Sequence, residues 1–350
     1  MPVPMPERKP CRCLCLPGIL LCLYLVRLQP RRSFGLAQDP SRLRLLREKA
    51  GINLRTRISN PNMTYSKESK SLLSRIAEAR DRGDWQSVLG LFRKYGGKEL
   101  PVFHAVLHTA FNCGQYKEGA KIYTRLQNLN ITQDGAAYAT ALKLFAKLGD
   151  TARVRDIWKE ARSNCLLDEP LAAARIDAAA AEGDIQVAAE ILDEMNRTGV
   201  RINIAHVTSA IRACWEAAGS SHNAAEFLLN MSLELGLQPN IATFTCLMGA
   251  YSGARLEQVL DAYGLMQSMK VEANKPFTEV YLTTVLNVKR GEGRLIRSVQ
   301  DTLALLRDCP PARLEAARAA VADFRAANID IASLGRRFVR ALKLLEQDAK

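Results

Sequence analysis

Ile204-Ala205-His206-Val207-Thr208-Ser209-Ala210-Ile211 opens one stretch of this chain, which closes at Leu237-Gln238-Pro239-Asn240. Ile241-Ala242-Thr243-Phe244-Thr245-Cys246-Leu247-Met248 opens the next, which runs out at Val271-Glu272-Ala273-Asn274. Each stretch holds two apolar-periodic segments of helix length separated by a glycine-centred break, so each reads as a helix hairpin. Hairpins repeating every 34 to 37 residues cannot bury their apolar faces alone and must stack on their neighbours, which is the logic of a solenoid.

Outward from these stretches, Gly83, Gly114, Gly149, Gly183, Gly219, Gly253 and Gly291 recur at spacings of 31 to 38 residues. Asp84, Asp150 and Asp184 follow three of them directly. Glycine adopts the left-handed conformation that closes one helix, and aspartate then caps the amides that open the next. The second helices share an i, i+3, i+4, i+7 apolar stripe: Val88, Leu91, Phe92, Tyr95, then Gly119, Ile122, Tyr123, Leu126, and so on. In the fifth hairpin the same reading selects Ala224, Phe227, Leu228 and Met231. The first helices contribute pairs such as Phe103 with Leu107 and Phe244 with Met248. These stripes have helical period, and no strand-like alternation interrupts them. They predict repeats at 69–99, 100–134, 135–168, 169–203, 204–240 and 241–274, with a degenerate seventh at 275–309. After Pro310-Pro311, residues 311–350 are expected to form a terminal helix pair covering the last repeat. Its Arg336, Arg337, Arg340 and Lys343 read either as a solvated face or as a phosphate contact.

Composition agrees with helices: the 350 residues are 48% hydrophobic but only 6% aromatic. The net charge of +13 is unevenly spread, because residues 1–60 hold 12 basic residues against 3 acids and leave only +4 for the remainder. Net charge is therefore weak support for a nucleic-acid partner, and that reading has to rest on the repeat. Nine cysteines, four crowded at Cys11, Cys13, Cys15 and Cys22 and five scattered, form no disulfide framework and point to a reducing interior.

Residues 1–60 read as a targeting presequence and linker. Residues 14–26 are a 13-residue apolar run behind Arg8, Lys9 and Arg12, too short to span a bilayer comfortably and suited to a signal core. From Arg27 to Arg57 come eight arginines with only Asp39 and Glu48 as acids, the bias of a transit peptide. The order resembles two-part plastid presequences, with a mitochondrial presequence as the alternative and a short membrane anchor as the third reading. Removal of this segment is expected to leave a chain with no stable membrane insertion.

Candidate chemistry is sparse. His104 and His108 lie four apart on one helix, but Ala105 stands where a zincin motif needs glutamate, so an ordinary helix surface outweighs a metal site. The chain lacks a nucleophile elbow, a phosphate loop and a dinucleotide turn. Asn62-Met63-Thr64 and Asn230-Met231-Ser232 match glycosylation sequons that organelle import makes incidental. No catalytic site, metal or cofactor is expected.

A hairpin of about 35 residues with an aromatic or aliphatic fourth residue and a terminal Pro-Asn or Asp resembles the pentatricopeptide repeat. That resemblance implies an all-α, right-handed superhelical α-solenoid of stacked helix-turn-helix repeats that binds single-stranded RNA without catalysis. It further implies that the fifth and last residues of each repeat together read one base: His104 with Asp134, Ala139 with Asp168, Ala173 with Asn203, Thr208 with Asn240, and Thr245 with Asn274. Second residues Pro101, Ala136, Pro170, Ala205 and Ala242 would pinch the bases. The two Thr-Asn pairs match a combination that favours adenine. Expected work is the processing, stabilisation or translation of organellar transcripts, with other RNA-processing proteins as further partners. A protein-binding helical scaffold is the alternative.

Overall fold

A computed structural model describes residues 66–217, 221–288, 298–331 and 333–348. Among the described residues every regular element is an α-helix. In chain order these are α1 (Lys67–Asp81), α2 (Trp85–Arg93), α3 (Leu100–Asn112), α4 (Tyr116–Asn128), α5 (Gly135–Leu148), α6 (Thr151–Asn164), α7 (Glu169–Glu182) and α8 (Ile185–Thr198). There follow α9 (Ile204–Glu216), α10 (His222–Glu234), α11 (Ile241–Ala250), α12 (Leu256–Ser268), α13 (Lys275–Val285), α14 (Val299–Arg307), α15 (Pro311–Ala326) and α16 (Ser333–Asp348). Residues 1–60, Gly219 and Gly291 lie outside the described residues.

The turns follow from the Gly-Asp chemistry. Gly83, Gly149 and Gly183 take φ of 68°, 72° and 69°, and the next aspartate turns its carboxylate onto the opening helix. Asp84 accepts from the Ser87 amide, Asp150 from the Arg153 amide and Asp184 from the Val187 amide, each at 3.0 Å. A cap of this kind stabilises a helix by about 1 kcal/mol. A second set of left-handed residues, Asn130, Gly199, Gly236 and Lys270, closes the second helices where the chain passes to the next hairpin.

The odd-numbered helices α1 to α13 pack directly on one another as one row, and each even-numbered helix up to α12 packs mainly against its own partner and the odd helix that follows. Neighbours are nearest on the inside of a curve, so the odd helices form the inner layer and the even helices the outer one. Contact is densest around α7, Glu-Pro-Leu-Ala-Ala-Ala-Arg-Ile-Asp-Ala-Ala-Ala-Ala-Glu, whose small side chains let α5 and α9 approach from both sides. Leu171, Ala174 and Ala178 belong to the core shared with earlier repeats, while Ala172, Ile176 and Ala179 belong to the core shared with later ones. Arg175 is also buried there, 4% exposed, with Nε and Nη1 unpartnered.

The outer stripe has the expected register in most repeats, including Ile122, Tyr123 and Leu126 in α4 and Ala188, Ile191, Leu192 and Met195 in α8. In α10 it is shifted by one residue: Ala225, Leu228, Leu229 and Ser232 are buried, whereas Ala224, Phe227 and Met231 are only partly covered. The Ser232 hydroxyl is hidden by donating to the Leu229 carbonyl at 2.7 Å, so a polar residue occupies a core position that apolarity alone assigns to Met231.

At the far end, Arg313 of α15 donates to the Thr284, Val285 and Ala254 carbonyls and closes the end of α13. Phe324 of α15 meets Tyr263, Phe277 and Tyr281 in an aromatic cluster. The last helix, α16, packs against both α14 and α13.

Candidate nucleic-acid interface

Each inner helix from α5 to α13 begins at a capping residue, and these caps are the last residues of the repeats. Asp134 accepts from the Ala137 amide at 2.8 Å and Asp168 from the Leu171 amide at 2.9 Å. Asn203 accepts from the Ala205 and His206 amides, Asn240 from the Ala242 and Thr243 amides, and Asn274 from the Phe277 amide. Capping alone explains why Asp and Asn stand here. It also means that each side chain is held with one oxygen turned into its helix.

The last residue of a repeat also lies beside that repeat's first residue. The Asn203 amide nitrogen donates to the Glu169 carboxylate at 2.7 Å, and a Cβ at Gly135 would stand 3.2 Å from Asp168 Oδ2. Second residues Ala136, Pro170, Ala205 and Ala242 are exposed, and Pro101 is half-buried, so an open strip runs along the helix starts. First and last residues thus meet across notches between the starts of successive inner helices.

The fifth residues differ in what they present. Ala139 is 6% exposed and offers no surface to a ligand, while Ala173 is half-buried and apolar. His104 Nε2 lies 3.2 Å from Thr140 Oγ1 across the notch. Thr245 donates its hydroxyl to the Ile241 carbonyl at 2.7 Å. Thr208 Oγ1 instead lies 2.7 Å from Thr243 Oγ1, whose hydroxyl also bonds Asn240. Among the five pairs only Thr208 and Asn240 are joined in this way, and composition does not distinguish them from Thr245 and Asn274. Thr243 and His206, the third residues of their helices, were not singled out by sequence reading, although a polar residue three positions after Asn is the signature of a capping box.

His108 has a pKa held below the usual imidazole value, first by burial and then by the neighbouring His104, Arg80 and Lys143 on α3, α1 and α5. Further along, Asp177 accepts from Ser209 at 2.6 Å and pairs with Arg212 at 3.3 Å, so the row is locally neutral there. His104 and His108 stand with ring centres 6.4 Å apart, and the His108 Nδ1 is engaged with the Asn112 amide.

Stacked helical hairpins with a capping Asp or Asn at each inner-helix start define a helical-repeat protein of the α-solenoid class. A family model described as the pentatricopeptide repeat domain matches residues 190–254, and the chain carries pentatricopeptide repeats there. The solved structure of the maize pentatricopeptide repeat protein PPR10 is 14% identical, with a TM-score of 0.50, covering 95% of this chain and 54% of that one. PPR10 in complex with an 18-nt psaJ RNA element is also similar, at 14% identity and a TM-score of 0.47, covering 95% and 53%. At such identity the likeness is one of fold, and this chain spans about half the length of those structures. No curated protein matches the chain.

Proposed function

We propose that this chain binds single-stranded RNA through the notches of its inner helix row, acting by occupancy and without catalysis of its own. The observation that carries this reading is the notch where Thr208 and Asn240 are joined through Thr243, with the second residues Ala205 and Ala242 exposed. Flat apolar second residues suit base faces, and the polar fifth and last residues suit base edges. The RNA complex formed by the similar protein PPR10 is consistent with the same ligand class.

Residues 1–60, with their short apolar core and arginine-rich continuation, support action inside a plastid or mitochondrion on organellar transcripts. The direct test is binding of the purified chain to a randomised RNA pool at near-physiological salt. Enrichment of a short recurrent motif supports base reading. No binding at all removes RNA from the reading and leaves a protein-binding scaffold.

A further inference from the structure

We infer that Thr243 is a positioning residue that sets the hydrogen-bonding polarity of Thr208 and Asn240, and so makes theirs the most discriminating notch of the array. This rests on the base-reading function proposed above. Thr243 is fully buried, and its hydroxyl has three partners. It donates to Asn240 Oδ1 at 3.3 Å, accepts from the Asn240 backbone amide at 3.3 Å, and meets Thr208 Oγ1 at 2.7 Å. A threonine hydroxyl has one hydrogen and two lone pairs. The Thr208–Thr243 contact admits either donor; in the arrangement inferred here Thr243 gives its hydrogen to Asn240 and accepts from Thr208, and its capacity is then full.

The consequence reaches the ligand side. Thr208 has spent its hydrogen and presents lone pairs only. Asn240 Oδ1 already accepts from two backbone amides and from Thr243, so the exposed amide presents only its N–H donors. The notch therefore offers one acceptor and one donor group in a fixed arrangement. Adenine, with an exocyclic amino donor beside a ring acceptor, answers that arrangement, whereas guanine reverses it with a keto acceptor beside a ring donor. At the following notch Phe277 stands where Thr243 stands here, and Asn274 Oδ1 accepts from a single backbone amide. That amide keeps a free acceptor and can meet either polarity. Two pairs of identical composition thus differ in selectivity because of the third residue of the next helix.

The test compares wild type, Thr243→Val and Thr243→Ser against a randomised RNA pool, with circular dichroism confirming the fold of each. Valine keeps the shape and removes the hydroxyl, while serine keeps the hydroxyl. The expected result is that wild type and Thr243→Ser prefer adenine over guanine at one motif position, and that Thr243→Val narrows this preference roughly fivefold or more. The neighbouring motif position, read by Thr245 and Asn274, should be unchanged in all three. Thr243→Ala repeats the measurement if the valine variant does not fold. Equal adenine preference in wild type and both hydroxyl-lacking variants overturns the role of Thr243 alone. A wild type that binds no RNA overturns the proposed function, and the role of Thr243 with it.

Discussion

The Asn203 backbone amide donates to His206 Nδ1 at 3.1 Å, while the Asn203 side chain accepts from the His206 amide at 3.2 Å, so the two residues cap each other at the start of α9. His206 is 2% exposed. With Nδ1 accepting, the ring proton of the neutral form sits on Nε2, and the ring also hydrogen-bonds the Glu169 backbone. Burial holds its pKa below the usual value, against the pull of Glu169 and Asp177.

Protonating Nδ1 would break the bond from Asn203, so the folded state resists a proton that the unfolded chain accepts. Stability is then full above the ordinary histidine pKa of about 6.5 and falls as the pH drops below it, by up to about 1.4 kcal/mol for each pH unit. Glutamine at this position keeps an acceptor without titrating. Thermal melts at pH 7.5 and 5.5 should show a smaller acid loss for His206→Gln than for wild type. Equal losses would rule out His206 as a source of the acid sensitivity.

Asn240→Asp should leave stability nearly unchanged, because aspartate caps as well as asparagine and keeps the bonds from the Ala242 and Thr243 amides. What changes is the outward group, from donor to acceptor. Selection from a randomised RNA pool should shift one motif position from adenine towards guanine, an effect on the order of 1–3 kcal/mol. Identical enriched motifs for both proteins would show that Asn240 does not read a base.

Gly149 and Gly183 share a left-handed backbone but not surroundings. A Cβ at Gly149 meets nothing within 4 Å, whereas at Gly183 it would stand 2.8 Å from the Glu216 carbonyl oxygen and 2.9 Å from the Ala217 nitrogen. Gly149→Ala should cost about 1–2 kcal/mol through backbone strain alone, and Gly183→Ala clearly more, because backbone must move as well. Urea denaturation of the two variants side by side checks the order.

Arg175 lies between the two cores with unpartnered nitrogens, its pKa pushed down by burial and only partly restored by Glu182. A buried guanidinium with two unsatisfied nitrogens is costly, and an apolar side chain of similar length avoids that cost while taking the compensating charge away from Glu182. Arg175→Met should raise the melting temperature, corresponding to roughly 1 kcal/mol or more of added stability. A lowered melting temperature would show that the guanidinium contributes more than its desolvation removes.

Local chemistry was legible in the linear order of residues. The Gly-Asp turns at 83–84, 149–150 and 183–184, the Asp and Asn that open the inner helices, and the 3.6-residue stripes depend on neighbours within a few positions, so they determined an all-helical chain of hairpins. The stripe of α10 escaped by one residue because a serine satisfied by its own backbone counts as core in space but as polar in sequence. Ala139 and Ala173 hold the same repeat position, yet one is buried and the other half-open, since exposure depends on how closely successive inner helices approach. Thr208 and Thr245 likewise read as equivalents, and only stacking set the Thr243 hydroxyl against Thr208 while Thr245 turned to its own helix. Those differences arise between residues about 35 positions apart, where packing between hairpins, rather than the pattern within one, decides which hydrogen bond each hydroxyl makes.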